Sequence, residues 1–282
     1  MAELRDVVGC ALAEDVGTGD VTSETTVPAE ARGRARIVQK QAGVVFGLGV
    51  VAETMGQCGI EDVDNLVVEG QWRDSVPAEV ALASGSARGL LAAERTALNF
   101  LGHLSGIATL TARFVEAIAG TGAAILDTRK TTPGLRELEK AAVVAGGGRN
   151  HRMGLYDAIL IKENHIALAG SLAKAVHAAR TKYPNLAVEV ECRNLDEVAY
   201  GLGTGADVLL LDNMDAGTLR KAVELRDGNA RRDGGGPSLE ASGGVSLETV
   251  RPIAESGVDF ISVGALTHSA PTLDFSMLIE SA

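Results

Sequence analysis

Six short apolar runs in the second half of the chain each end in residues that can hold or stabilise charge. Ala124–Asp127 leads into Thr128, Arg129 and Lys130, and Ala158–Lys162 into Glu163, Asn164 and His165. Ala187–Glu191 and Val208–Asp212 end on carboxylates, while Leu239–Ser242 runs into Gly243-Gly244 and Phe260–Gly264 into Ala265. A further cationic stretch, Arg149-Asn150-His151-Arg152, lies between the first two runs. Arginine captures carboxylates bidentately and lysine acts as a compact positive point charge, so Arg129, Lys130, His151, Arg152 and Lys162 suit anionic substrates. Brought together without a ligand they would repel one another, and bound anions would resolve that repulsion. Glycine lets the backbone approach phosphate oxygens closely, so Ser242, Gly243, Gly244, Val263, Gly264 and Ala265 read as a 5′-phosphate site. Glu191 and Asp212 would then face a sugar, either as acceptors for its hydroxyls or as ligands of a Mg²⁺ ion that keeps its waters. Each feature alone has an ordinary explanation. A basic residue after a strand is usually solvated, the two carboxylates could cap helices, and the glycines could form plain turns.

The joint reading depends on the elements that carry these residues. The runs recur at intervals of roughly 20 to 35 residues with helical stretches between them, the spacing of β/α units with parallel strands. In such units catalytic groups gather at the C-terminal strand ends. Six strands rather than eight predict an open α/β barrel, TIM-like but irregular. The polar stretch Arg226–Ser238 predicts a surface insertion without chemistry. Residues 1 to about 95 read as a separate mixed domain, with a helix over Glu3–Glu14, extended segments at Ala35–Lys40 and Leu66–Val68, and an apolar Val44–Val51 broken by Gly47 and Gly49. Between them, Gly89–Ala119 predicts one or two long helices. Leu91, Leu98 and Leu101 form an apolar stripe there, and Arg95 falls on the same stripe.

The bulk numbers bound the partners. With 46% hydrophobic but only 3% aromatic residues, the core must be built from Ala, Val, Leu and Ile, as suits buried parallel strands. A net charge of -11 argues against a nucleic-acid binder. Asp127–His165, however, carries seven Lys or Arg against five Asp or Glu, a local +2 that leaves -13 for the remainder. Cys10, Cys58 and Cys192 are odd in number and widely spaced, which fits reduced thiols rather than a disulfide framework or a zinc site. Neither a signal-like start nor a membrane-length apolar stretch is present, so the expectation is a cytoplasmic protein without membrane contact.

Thr128-Arg129-Lys130-Thr131-Thr132-Pro133-Gly134-Leu135-Arg136, Gly147-Gly148-Arg149-Asn150-His151-Arg152 and Ile161-Lys162-Glu163-Asn164-His165 together resemble the signature of the quinolinate phosphoribosyltransferase family. The likeness extends to Glu14–Thr22, Glu94–Asn99, Glu189-Val190-Glu191, Leu211–Met214, Glu240–Gly244 and Ser262–His268, and so covers nearly the whole chain. The resemblance implies an N-terminal α/β sandwich domain over residues 1–97, completed by the tail 270–282, and an open α/β-barrel domain over 98–269. It implies transfer of phosphoribose from phosphoribosyl pyrophosphate to quinolinate, with loss of CO₂, giving nicotinate mononucleotide for NAD biosynthesis, with Mg²⁺ as the only cofactor. It carries quinolinate binding onto Arg95, Arg129, His151, Arg152 and Lys162, and catalysis onto Lys130, Lys162, Glu191 and Asp212. Lys130, Glu191, Asp212 and the two glycine ends fall to the phosphoribosyl pyrophosphate side, and Thr128 is a further substrate-binding residue. It also implies a homodimer or larger homo-oligomer in which Arg95 reaches the partner's site. A relative using another heterocycle, of the kind found with molybdate transport, and a non-catalytic binding relative stay open beside it.

Overall fold

The computed structural model describes residues 4–229 and 236–282. In chain order they form α1 (Leu4–Val16), α2 (Val21–Thr26), β1 (Arg32–Gln39), β2 (Gly43–Val44), α3 (Leu48–Gln57), β3 (Asp62–Asn65), β4 (Trp72–Arg73), β5 (Ala78–Ser86) and α4 (Ala87–Ala117). There follow β6 (Ala124–Leu126), α5 (Arg136–Ala145), β7 (Ile159–Ile161), α6 (Glu163–Ala169), α7 (Leu172–Lys182), β8 (Val188–Cys192), α8 (Leu195–Gly201), β9 (Val208–Asp212) and α9 (Ala216–Asn229). The last elements are β10 (Ser238–Ser242), α10 (Val250–Ala254), β11 (Phe260–Ser262), α11 (Ala265–His268) and β12 (Phe275–Ser281). Among the described residues no helix is long and apolar enough to cross a membrane.

The chain divides into two compact units: residues up to Ala112 with Thr131–Gly147 and Thr267–Ala282, and Arg113–Lys130 with Gly148–Leu266. The first unit holds an antiparallel sheet in the order β12-β1-β5-β3. Strand β12 pairs with β1 from Gly33↔Ser281 to Gln39↔Phe275, so the end of the chain completes a sheet begun near its start. Burial alternates along β1, and the inward residues Ala35 and Ile37 join Val80, Ala81 and Ala83 against Leu48, Val51 and Met55 of α3 and Leu90, Ala93 and Ala97 of α4. Truncating Ile37, fully buried in this cluster, to Ala would cost about 2–5 kcal/mol.

Three local expectations change. Leu66 and Val68 are exposed and lie beyond β3, whose residues are Asp62–Asn65. Its Asp and Asn residues are mostly solvent-exposed on a sheet edge, so hydropathy does not mark them. Helix α4 is one continuous helix whose buried face is Leu90, Ala93, Ala97, Leu101 and Leu104. Arg95 is exposed on the other side and Leu91 is 36% exposed, so Arg95 does not interrupt an apolar stripe. Of the expected stripe, Leu98 and Leu101 are buried and only Leu91 lies at the exposed edge. Within Arg226–Ser238, residues 226–229 finish α9 and Arg226 bonds Asp259 at 2.6 Å, which makes the start of this stretch structural; residues 230–235 of the expected insertion lie outside the described residues.

The second unit is the expected parallel sheet. Its strands follow the order β6-β11-β10-β9-β8-β7, all parallel, and β6 and β7 stand at opposite ends as in an open barrel. All six apolar runs form strands, and their interiors (Ile125, Ile161, Val190, Leu209, Leu211, Leu239, Ala241 and Ile261) are buried.

Candidate active site

Backbone stitching next to β6 sets one side of the site. Asp127, fully buried, accepts the His151 amide at 2.9 Å, while the Arg149 amide bonds the Ile125 carbonyl at 2.8 Å. Arg149–His151 therefore lies along the extension of β6, and Arg129 and Arg152 share one edge of the barrel mouth. Lys162, just past β7, pairs with Glu191 at the end of β8. Parallel register sets Glu191 opposite Leu210, so Asp212 sits two residues further toward the C-terminal end of β9. Past β9 and β10 the backbone turns sharply. Asn213 has φ 55°, Gly243 φ 97° and Gly244 φ 61°, and the Asn213 amide bonds the Ser242 carbonyl at 2.8 Å. A Cβ at position 243 would collide with the Asn213 side chain, so both the turn and the close approach require glycine there.

These ends enclose a cavity of about 500 Å³ lined by Thr128, Arg129, Lys130, His151, Arg152, Lys162, Glu191, Asp212, Ser242, Gly243 and Gly244, with Asn213, Glu240 and Ser262 beside them. Three residues expected at the phosphate end do not line it. Val263 is buried and gives its amide to the Leu126 carbonyl at 2.9 Å, and Gly264 and Ala265 follow it. That amide is spent on the sheet, and of the two glycine ends it is the turn after β10 that lines this cavity. Arg95 belongs to the other compact unit and is exposed on α4. A larger groove of about 830 Å³ lies by α6 and α8, but its Arg193 is already paired with Glu163 and Glu197.

The electrostatics of the cavity favour anions. Arg129 Nε is buried with no acceptor among the described residues. Burial, and then the charge of Arg129, lower the Arg152 pKa, against which Glu189 and Asp157 act. An anion between the two guanidiniums would supply the missing acceptor and offset their repulsion.

Beneath the cations lies a buried acidic layer. His151 Nε2 is 2.9 Å from Glu189 Oε2 and 3.6 Å from Glu240 Oε2, and Ser262 Oγ donates to Glu240. Burial, and next the Glu189 carboxylate, push the Glu240 carboxyl up to about 7, with His151 and Ser262 acting in the opposite direction. His151 Nδ1 accepts the Arg152 amide at 2.7 Å, so both ring nitrogens have protein partners. Glu189, Glu240 and Ser262 had no assigned role in the sequence. Their signal was present: Glu189 precedes Glu191 by two residues and Glu240 precedes Ser242 by two, which puts each on the same strand face one step deeper.

Two donor sets bear on metal binding. His151, Glu189 and Glu240 offer ligand atoms within 4.8 Å of one another and could hold a metal ion. Glu191 and Asp212 stand at the rim of the same cavity. Two carboxylates in a cationic cavity fit Mg²⁺, which takes one or two protein carboxylates and fills its shell with water and substrate oxygens.

Residues 20–105 match the family described as quinolinate phosphoribosyl transferase, N-terminal domain, and residues 107–278 match its C-terminal domain. The chain belongs to the quinolinate phosphoribosyl transferase family. It is 42% identical over 278 residues to the nicotinate-nucleotide pyrophosphorylase [carboxylating] of Mycobacterium leprae, covering 97% of this chain and 96% of the relative. The probable enzyme of that name from Bacillus subtilis is 40% identical, covering 98% of this chain and 93% of the relative. Among solved structures, nicotinate-nucleotide pyrophosphorylase from Francisella tularensis superposes with a TM-score of 0.91 at 38% identity, covering 98% of this chain and 96% of that one. NadC from Streptococcus pyogenes gives 0.91 at 37%, covering 99% and 97%. The family and the fold class expected from the signature runs are both met.

Proposed function

We propose that the chain is a decarboxylating phosphoribosyltransferase that joins quinolinate to phosphoribosyl pyrophosphate, giving nicotinate mononucleotide, pyrophosphate and CO₂, a step of NAD biosynthesis. The observation that carries this reading is the convergence of Arg129, Lys130, Arg152 and Lys162 with Glu191, Asp212 and the Gly243-Gly244 turn on one cavity of a chain of this family. Both substrates are strongly anionic, and a cationic cavity offsets their mutual repulsion while holding the reacting atoms together. Arg129, Arg152 and Lys162 take the two carboxylates of quinolinate. Lys130, Thr128 and the glycine turn hold the phosphate groups.

The quinolinate ring nitrogen gives its lone pair to the anomeric carbon as the bond from that carbon to the pyrophosphate oxygen breaks and pyrophosphate leaves with the electron pair. Glu191 and Asp212 stabilise the positive charge that develops on the ribose, and Lys130 the negative charge on the leaving group. The ring nitrogen is then a pyridinium. The carboxylate on the adjacent carbon leaves as CO₂, its bonding pair stays on that carbon beside the cation, and a proton replaces it. Mg²⁺, held by Asp212 and Glu191 with substrate oxygens, would offset the charge of the pyrophosphate.

Arg95, exposed on α4, completes the quinolinate site of a second copy, which makes the working unit a dimer. Mixing Arg95→Ala with Lys162→Ala, each inactive alone, should restore activity, because a mixed dimer has one intact site; a mixture as inactive as its components would reject the shared site. For the reaction itself, the protein with Mg²⁺ and phosphoribosyl pyrophosphate is given quinolinate or nicotinate, and CO₂ and nucleotide are followed. Product and CO₂ from quinolinate support the proposal, while product from nicotinate alone favours a relative acting on another heterocycle.

A further inference from the structure

The buried layer under the cations poses a question that the reaction does not answer. Two glutamates, 5% and 2% exposed, sit below a pocket for anions, where negative charge opposes binding. Their geometry points upward through one residue. His151 Nδ1 accepts the Arg152 amide at 2.7 Å, which leaves the ring proton on Nε2, and Nε2 lies 2.9 Å from Glu189 Oε2. Glu189 Oε2 is thus held by His151, and Glu240 Oε2 lies 3.6 Å from the same Nε2. Ser262 completes the set from β11 by donating to Glu240. The order is therefore Ser262, Glu240, Glu189, His151 and the Arg152 backbone, with the Arg152 guanidinium anchored to the Ala158 carbonyl at 3.2 Å.

We infer that Glu189 is a positioning residue for anion binding: it accepts the His151 Nε2–H and so holds the ring turned inward, and through the ring's Nδ1 it fixes the segment that aims Arg152 into the cavity. A metal ion between His151, Glu189 and Glu240 would displace the hydrogen bond from His151 to Glu189. The inference rests on the quinolinate reading only for the name of the anion.

The test compares Glu189→Gln with Glu240→Gln, using steady-state kinetics below neutral pH and calorimetric binding of quinolinate. Glu189→Gln replaces the anionic acceptor of His151 and should raise the quinolinate KM and dissociation constant by about tenfold, the scale of one hydrogen bond to a charged group, while Glu240→Gln, which leaves the bond from His151 to Glu189 in place, should raise them less. The KM for phosphoribosyl pyrophosphate should hardly move. The sign is decisive, because loss of a buried negative charge below an anion site would by Coulomb's law alone tighten quinolinate binding. Tighter binding, equal changes for both substrates, or equal loss in both variants would overturn the inference, the last being the pattern of a metal site. Should Glu189→Gln fail to fold, imidazole ¹⁵N resonances of the unmodified protein decide the matter, with His151 assigned through His151→Asn. The neutral Nε2–H tautomer is expected, and the Nδ1–H tautomer would overturn the proposal. An unmodified protein that makes no product from quinolinate would instead reject the functional reading and leave the tautomer measurement standing.

Discussion

The mouth of the barrel and the layer just below it are built from the same strands, yet they carry opposite charge and obey different physics. At the mouth, Lys130 and Lys162 are exposed and Arg129 and Arg152 half-buried, so their cations keep much of their hydration while facing a cavity. One strand step deeper, Asp127, Glu189 and Glu240 are buried, and each is held by hydrogen bonds from the protein. The mouth is arranged to exchange water for ligand. The layer below is bonded from within except at Glu189 Oε1, which has no partner among the described residues, and burial, then the neighbouring Glu189, pushes the Glu240 carboxyl up to about 7. Two residues along a strand thus separate groups that bind from groups that aim.

Substitutions can break this contrast. The largest effect is expected at the mouth: Arg152→Ala should raise the quinolinate KM by about a hundredfold, the loss of a charged, two-pronged contact, and change that for phosphoribosyl pyrophosphate far less. Equal effects in steady-state assays would mean that the mouth does not sort its two anions.

A smaller loss is expected at the turn. Gly243→Ala imposes a side chain at φ 97° against Asn213, a strain of about 1–3 kcal/mol. The KM for phosphoribosyl pyrophosphate should rise by about tenfold with the quinolinate KM nearly unchanged, since the backbone cradle and not the cations is displaced.

The mildest effect belongs to the buried layer and appears only as pH changes. The Glu240 carboxyl rises from 4.5 to about 7 on folding, so its contribution to stability is fully present below 4.5 and is lost as pH increases through about 7. Glu240→Gln does not ionise. Its melting temperature relative to the parent should therefore be higher at pH 8 than at pH 5, and a difference independent of pH would show that Glu240 is already ionised in the folded protein.

Much of this was legible in the chain itself. The six apolar runs locate every barrel strand because buried parallel strands need continuous hydrophobic stretches whatever their neighbours. The cations, Glu191, Asp212 and the Gly243-Gly244 turn could be named because catalytic groups of such barrels fall at strand ends, positions that sequence order alone specifies. Helix α4 was visible, and Leu98 and Leu101 of its stripe are buried, but Leu91 and Arg95 are exposed. Its leucines are conspicuous, whereas the alanines that fill the narrow contact are ordinary residues whose burial depends on what packs against them.

Position relative to other strands decided the rest. Sequence order treats Glu189 and Glu191 as near neighbours of one kind. The sheet sends one to a wet rim beside Lys162 and the other into the interior beside His151 and Glu240, which come from distant parts of the chain. Val263 looked as suitable as Gly243 for a phosphate, yet its amide is consumed by the sheet edge at Leu126. Local pattern determined which residues could do chemistry, since residue type and spacing are properties of the chain. Burial and partners separated those that line the cavity from those buried beneath it, because desolvation and hydrogen bonding exist only once distant segments pack.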